Sequence, residues 1–220
     1  MKKIILFYFV ISTTTSYLFA QDNVSIHFAQ TFATFKYTDS QGNTDPNMRS
    51  QFRSSYGVNY SRVFNSGGFI RPEIEFENLG AVSDLYTQKL DWSLHYVGFN
   101  LGCGYIKRFG SVAPFIGISP YIAYLYDANQ TVGSDEYDLL ADKGIKRIDY
   151  GVNVFGGVKY LFTEAVSAFF EVRTTTGLQQ LEENSESGQN QKQYNRAVAF
   201  RFGISFNMVN TKRVKMRSNF

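Results

Sequence analysis

The stretch FIRPEIEFEN, residues 69–78, decides the class of fold, because apolar and polar side chains alternate along it without interruption. Ile70, Ile74 and Phe76 fall on one face of an extended chain, whereas one arginine and three glutamates fall on the other. Alternation with a period of two predicts a β-strand rather than a helix. The two faces of this strand therefore meet different surroundings, one apolar and one polar.

The same alternation recurs from residue 24 almost to the end of the chain. Within the fourth stretch the apolar set changes parity, from Trp92 and Leu94 to Val97 and Phe99. Such a slip predicts a β-bulge near residues 95–96. The predicted strands have approximate bounds 24–37, 51–64, 69–78, 89–105, 112–126, 148–162, 165–176 and 196–206.

Short and long connections alternate between these strands. Outer-membrane barrels of bacteria have short periplasmic turns and longer extracellular loops, an even strand number and a polar interior behind an apolar wall. The pattern therefore predicts an all-β fold, an eight-stranded antiparallel transmembrane β-barrel with up-and-down order. A soluble β-sandwich or lipocalin-like barrel, with its apolar face inside, is the alternative. The short connections are 65–68, 106–111 and 163–164, and the long ones are 38–50, 79–88, 127–147 and 177–195.

Composition and charge exclude several other classes of protein. Aromatic residues make up 17% of the chain, an excess typical of β proteins. A single Cys excludes a disulfide framework or a zinc site built from cysteines. No stretch after the N-terminus offers 18 uninterrupted apolar residues, so a membrane protein built from helices is excluded. The net charge of +3 forms no patch suited to nucleic acid.

The first twenty residues are typical of a secretory signal peptide. Lys2 and Lys3 precede an apolar run at 4–11, and Ala20 offers a small residue for cleavage. The apolar run is too short to span a membrane, which takes about 20 residues. We expect cleavage after Ala20, a barrel over 21–206 and a basic periplasmic tail over 207–220.

Ten charged residues fall on the predicted inner face. An eight-stranded barrel has room inside only for side chains, and buried charges are tolerated when they are paired. Because five are positive and five negative, we expect a paired network that fills the lumen. The glutamates of 69–78 are alternatively a cation-binding or acid–base row. The ten are Arg53, Arg71, Glu73, Glu75, Glu77, Asp149, Lys159, Glu171, Arg173 and Arg201.

The chain resembles a known family over most of its mature length. LHYVGFNLGCGYIKRFGSVAPFIGISPYIAYL, residues 94–125, resembles the central hairpin of the PorT-like outer-membrane β-barrel proteins of Bacteroidetes, including a Pro-aromatic-x-Gly-x-x-Pro stretch at 114–120. Gly98 stands where the family usually has proline. The resemblance implies an outer-membrane barrel of a Gram-negative bacterium, and the family's namesake takes part in protein secretion by the type IX system. Further similar segments are 149–162, 170–181 and 195–206.

The C-terminal part of the chain carries two more signals. Phe202, Ile204 and Phe206 alternate as in the aromatic signal that β-barrel assembly machinery recognises, although here the chain continues beyond them. The tail that follows contains four basic residues, which suit an acidic partner or lipid headgroups, or simply a solvated end.

These observations favour a non-enzymatic protein of the outer membrane and cell envelope. We expect its loops or tail to contact partners, with an accessory role in protein secretion as the form suggested by the PorT-like resemblance. The alternatives are a small passive pore and a lipid-modifying enzyme. The sequence offers no catalytic cluster, cofactor motif or metal-ligand cluster. The expected partners are outer-membrane lipid, the assembly machinery and an envelope or secretion protein.

Overall fold

Among the residues that the structure describes, all the long elements are β-strands. A computed structural model describes residues 21–38, 48–85, 88–141, 145–181 and 192–208. None of these residues belongs to a helix long and apolar enough to cross a membrane. The strands are β1 Gln21–Thr38, β2 Met48–Arg49, β3 Gln51–Val63, β4 Gly68–Leu85, β5 Gln88–Ile106, β6 Val112–Val132, β7 Asp135–Asp138, β8 Ile148–Leu161, β9 Val166–Gly177 and β10 Lys192–Met208.

The long strands close into a barrel. Each pairs antiparallel with the next long strand along the chain, and β1 pairs with β10 from Asp22↔Met208 to Thr38↔Lys192. The closed order is β1, β3, β4, β5, β6, β8, β9 and β10, and the short β2 and β7 are attached to β4 and β6. The predicted eight-stranded antiparallel meander is confirmed.

The two ends of the barrel differ. Gln21 and Met208 lie at one end, together with the short connections between β3 and β4, β5 and β6, and β8 and β9. We call this the turn end. The opposite end, which carries the connections from β6 to β8 and from β9 to β10, is the loop end.

The wall of the barrel is apolar outside and polar inside through its middle. On β4, Ile70 and Ile74 are 45% and 48% exposed, whereas Glu73 and Glu75 are buried. On β1, Phe28 is 52% exposed and its neighbour His27 is buried. A soluble β-barrel has the opposite arrangement, so the orientation predicted for a membrane barrel holds here.

The connection predicted at 79–88 is wrong. β4 and β5 remain paired out to Leu85↔Gln88, because Leu79 and Ala81 continue the alternation into the barrel interior. Gly80 permits a close approach of β5 to β4. Its φ is +153°, and a Cβ there would lie 1.9 Å from the carbonyl oxygen of Trp92.

The predicted bulge lies at the predicted level but on the neighbouring strand. The register between β5 and β6 shifts between His95 and Tyr96. Tyr96 pairs with Leu125 and His95 with Asp127, which leaves Tyr126 of β6 as the extra residue. Leu94 and Tyr96 are both fully buried, so β5 keeps its parity. The apolar set changed in the sequence because the interior itself becomes apolar toward the loop end.

Four phenylalanines fill the interior near the turn end, each opposite a glycine on the next strand. A Cβ on any of these glycines would lie 2.4 to 2.7 Å from the ring of its partner. The missing side chain therefore makes the space that the ring occupies, and the ring covers the gap in the wall. The pairs are Phe69 with Gly104, Phe115 with Gly157, Phe155 with Gly117 and Phe169 with Gly203.

We predict that Gly157→Ala destabilises the barrel by about 2 kcal/mol, because the added methyl overpacks the interior. A Cβ at Gly157 would lie 2.7 Å from the Phe115 ring and 2.2 Å from the Phe170 carbonyl oxygen. Urea unfolding followed by Trp92 fluorescence measures the change.

The neighbouring glycine supplies the matched control. A Cβ at Gly156 would meet only the Phe115 carbonyl oxygen, at 3.6 Å. We expect Gly156→Ala to change the free energy of unfolding by less than about 0.5 kcal/mol. Equal effects of the two substitutions would show that the glycine–phenylalanine pairs do not shape the interior.

Candidate functional site

The interior of the barrel is divided into three layers. The phenylalanine layer lies near the turn end and consists of Phe69, Phe115, Phe155 and Phe169. The charged layer lies next to it and consists of His27, Arg71, Glu73, Glu75, Glu171, Arg173 and Arg201. The apolar layer lies toward the loop end and consists of Ala33, Phe35, Leu79, Ala81, Leu94, Tyr96, Tyr121, Ala123, Leu125, Ala128, Ile145, Leu181 and Ala197.

Strand alternation places the charged layer on one level. Arg71, Glu73 and Glu75 are successive inward positions of β4. Glu171 and Arg201 are cross-strand partners on β9 and β10. In the closed order β9 lies directly opposite β4, so bonds between these strands cross the lumen.

Glu171 is the acceptor on one side of the lumen. Arg201 donates from Nη1 to Glu171 Oε1 at 2.6 Å, and Arg71 donates from Nη1 to Glu171 Oε2 at 2.6 Å. Arg173 Nη2 lies 3.3 Å from Glu171 Oε1. All of these side chains are at most 8% exposed. Such charge-assisted bonds in a dry interior are the strong class of hydrogen bond.

The glutamates of β4 are the acceptors on the other side. Arg173 Nη1 lies 2.8 Å from Glu73 Oε1 and 2.9 Å from Glu75 Oε2. Arg201 Nη2 lies 3.0 Å from Glu73 Oε1 and 3.3 Å from Glu75 Oε2. Three arginines therefore meet three glutamates, and each guanidinium bridges carboxylates. The paired charges span the lumen at this level.

Neutral groups occupy further acceptor positions of these glutamates. Ser55 donates from Oγ to Glu75 Oε1 at 3.0 Å, and Asn100 donates from Nδ2 to Glu73 Oε1 at 3.3 Å. The guanidinium carbon of Arg71 lies 4.1 Å from the centre of the Phe155 ring, which joins the charged layer to the phenylalanine layer.

His27, Glu73 and Glu75 have the residue types of a metal site, and their potential ligand atoms lie within 4.8 Å of one another. The Arg201 guanidinium already stands among them. Its Nη2 contacts His27 Nε2 and lies within salt-bridge distance of both carboxylates. The arginine thus supplies the positive charge that a bound cation would bring, and the arrangement favours a structural role.

Three of the ten charges identified in the sequence lie at other levels: Arg53, Lys159 and Asp149. Glu77 adjoins the charged layer through a side-chain hydrogen bond to Glu75. Arg53 pairs with Asp91 at 2.8 Å toward the loop end, and both side chains are partly exposed. Lys159 lies toward the turn end. Neither Lys159 nor Glu77 forms a salt bridge within the described ranges.

Asp149 is held by hydrogen bonds from neutral side chains. Its Oδ2 accepts a hydrogen bond from Tyr121 OH at 3.1 Å and one from Asn195 Nδ2 at 2.8 Å. Asn195 Nδ2 also lies 3.1 Å from Tyr96 OH. This network borders the apolar layer. The sequence could have indicated it, since inward parity places these tyrosines and Asn195 on the same side as Asp149.

The structure brings together Ser93, His95 and Asp127 on the outer face near the loop end, a set that the sequence did not indicate. Ser93 Oγ lies 3.2 Å from His95 Nε2, and Asp127 Oδ2 lies 3.7 Å from the same nitrogen. A Ser-His-Asp relay needs its hydroxyl and its carboxylate on different ring nitrogens. The geometry therefore lacks the relay that a hydrolase uses.

The proposed assembly signal lies on the outer wall of β10. Phe202, Ile204 and Phe206 are 57%, 45% and 49% exposed, and the strand continues past them to Met208. The predicted signal peptide, residues 1–20, and residues 209–220 of the predicted tail lie outside the described residues.

No family model and no curated protein matches the chain. Among solved structures it is similar to Neisserial surface protein A, NspA, with a TM-score of 0.52 and 16% identity, covering 86% of this chain and 98% of that one. It is also similar to the outer membrane protein OprG from Pseudomonas aeruginosa, with a TM-score of 0.53 and 13% identity, covering 86% and 96%.

These likenesses show the fold of an outer-membrane β-barrel. The resemblance to PorT-like proteins stays a prediction from the sequence. The outer membrane protease OmpT from Escherichia coli is similar at a TM-score of only 0.42 and 7% identity, covering 86% of this chain and 97% of that one, which carries no argument about activity.

We predict that Glu171→Gln destabilises the barrel by about 3–5 kcal/mol, because three buried arginines would then face two carboxylates. Urea unfolding in lipid vesicles, followed by Trp92 fluorescence, measures this change. The matched control is Asp22→Asn, which removes the carboxylate of a partly exposed pair, since Arg62 Nε lies 3.7 Å from Asp22 Oδ1. We expect the control to lose less than about 1 kcal/mol. Similar losses in the two variants would contradict a coupled network.

Proposed function

We propose that this protein is a non-enzymatic β-barrel of the outer membrane of a Gram-negative bacterium, exported by a signal peptide at residues 1–20. Its barrel is a closed scaffold, and its extracellular loops or basic periplasmic tail contact partners in the envelope. The turn end faces the periplasm and the loop end faces the outside.

The outer wall supports the location. Apolar side chains cover it through its middle, where Phe99, Ile116, Ile122, Val154 and Phe202 are each about half exposed or more. A continuous apolar surface of this kind is stable against lipid and unfavourable in water.

The charged layer is the main observation that supports a closed scaffold rather than a pore. A passive pore needs a continuous wet path, and an eight-stranded barrel has room inside only for side chains. Here the arginines and glutamates join opposite strands directly, and apolar layers lie on both sides of them. Hydrated ions that enter the lumen therefore meet the apolar layer and the layer of paired charges.

We predict that the protein is found in the outer-membrane fraction and changes its mobility on an SDS gel after boiling. A closed barrel stays folded in cold detergent, because its strands have no free edge from which to unfold. A protein that stays in the periplasmic fraction and shows no shift would contradict the proposed location.

We predict no steady ion current when the purified protein is inserted in planar lipid bilayers. The mobility shift on the same preparation verifies that the protein is folded, so that an absent current cannot result from unfolded protein. A steady current would show that the lumen conducts and would favour the passive pore.

An accessory role in secretion is the more specific form of this function, and its only support is the PorT-like resemblance of residues 94–125, 149–162, 170–181 and 195–206. A deletion strain tests it. Loss of secreted proteins, together with co-purification of secretion components, would support the role, and normal secretion would contradict it. An altered lipid A or phospholipid profile in the same strain would favour a lipid-modifying enzyme instead.

A further inference from the structure

A cavity of about 220 Å³ opens at the turn end of the barrel. Its wall combines apolar side chains with amides and two cations. Since a water molecule takes up about 30 Å³ of liquid, this space suits a small organic molecule rather than a polymer. Its lining includes Asn23, Val63, Ile106, Arg108, Lys159 and Leu161.

The charge of this cavity is of one sign. Lys159 and Arg108 line it, and none of the described residues that line it has a carboxylate side chain. Lys159 is half-buried and makes no salt bridge in the part of the chain that the structure describes. Lys159 therefore presents a positive charge to the cavity, and an anion beside it would be stabilised by this charge.

A smaller space of about 30 Å³ continues inward from Lys159 to Arg71. Arg71 uses Nη1 to bind Glu171, but its Nη2 is buried without a hydrogen-bond partner within the described residues. Ser61 and Asn59 also line this space. The inner space thus adds an unused guanidinium donor and neutral polar groups behind the ammonium of Lys159.

We propose that the turn-end cavity binds a small anion that has a carboxylate or phosphate head on a compact apolar body. The head lies beside Lys159, toward the unused donor of Arg71, and the body packs against Val63, Ile106 and Leu161. This function goes beyond the scaffold role. It needs no passage through the charged layer, because the cavity ends there, and it does not depend on which protein the loops contact.

Three matched probes test the site: benzoate, phenyl phosphate and the neutral benzamide. Each is titrated into the purified protein in a neutral maltoside detergent, with binding followed by calorimetry and by NMR shifts of the amides of Asn23, Asn65 and Asn207. We expect saturable binding of at least one anion, about ten-fold or more tighter than benzamide. The tighter anion identifies the head.

Variants locate the site. Lys159→Gln should weaken binding of that anion by about ten-fold or more, whereas Lys107→Gln should change it by less than about two-fold. Lys107 is exposed on the nearby turn and does not line the cavity, so it controls for general surface charge. The mobility shift on boiling verifies that both variants fold.

The proposal is overturned if neither anion saturates the wild-type protein, or if benzamide binds as tightly as the anions. It is also overturned if Lys107→Gln weakens binding as much as Lys159→Gln. The wild-type comparison of charged and neutral probes decides the question even if Lys159→Gln does not fold. None of these results bears on conductance or secretion, so they are distinguishable from failure of the proposed function.

Discussion

Ion pairs that cross the full width of the barrel organise the interior of this protein. The glutamates of β4 meet the arginines of β9 and β10, which lie on the far side of the closed sheet. Because apolar layers flank them, a charge that lost its partner would have no water to replace it. The network therefore gives specificity more than net stability. A slip of one residue in any of these strands would turn its charges onto the outer wall.

Side chains can bond across the lumen only if the barrel is narrow. The glycines opposite the interior rings let large side chains fit inside without a wider barrel. Phe155 stacks its face near Arg71 and lies over Gly117, so one side chain serves both the wall and the charged layer. Tyr121 over Gly151 and His27 over Gly57 repeat the arrangement at other levels. Removing a Cβ from one strand makes room for a large side chain from the next, and the barrel interior is filled without widening the sheet.

Alternation along the sequence predicted the strands, their order and the inner face. Apolar and polar residues must alternate wherever one face of a strand meets an apolar environment and the other a polar one. The alternation also placed the six arginines and glutamates of the charged layer on the inner face. It did not show that Arg53, Lys159 and Asp149 lie at other levels, since height along a tilted strand depends on register. It also treated Leu94 and Trp92 as wall residues, because it assumed that apolar side chains always face lipid. The interior phenylalanines were missed for the same reason.

The bulge between β5 and β6 separates two parts of the wall whose apolar side chains point in opposite directions. Below it, Val97, Phe99 and Ile122 point outward; above it, Ser93, His95 and Asn129 do, while Leu94 and Leu125 point inward. β4 has 18 residues, about 60 Å of strand at roughly 3.3 Å each, and at a tilt near 40° it rises about 45 Å, more than the hydrocarbon core of a bilayer. Toward the loop end the barrel thus has an apolar interior, as in a soluble β-barrel, whereas through its middle the polar side chains are inside and the apolar ones outside. The level at which apolar side chains change from the outer to the inner face is the level at which a wall suited to lipid gives way to one suited to water.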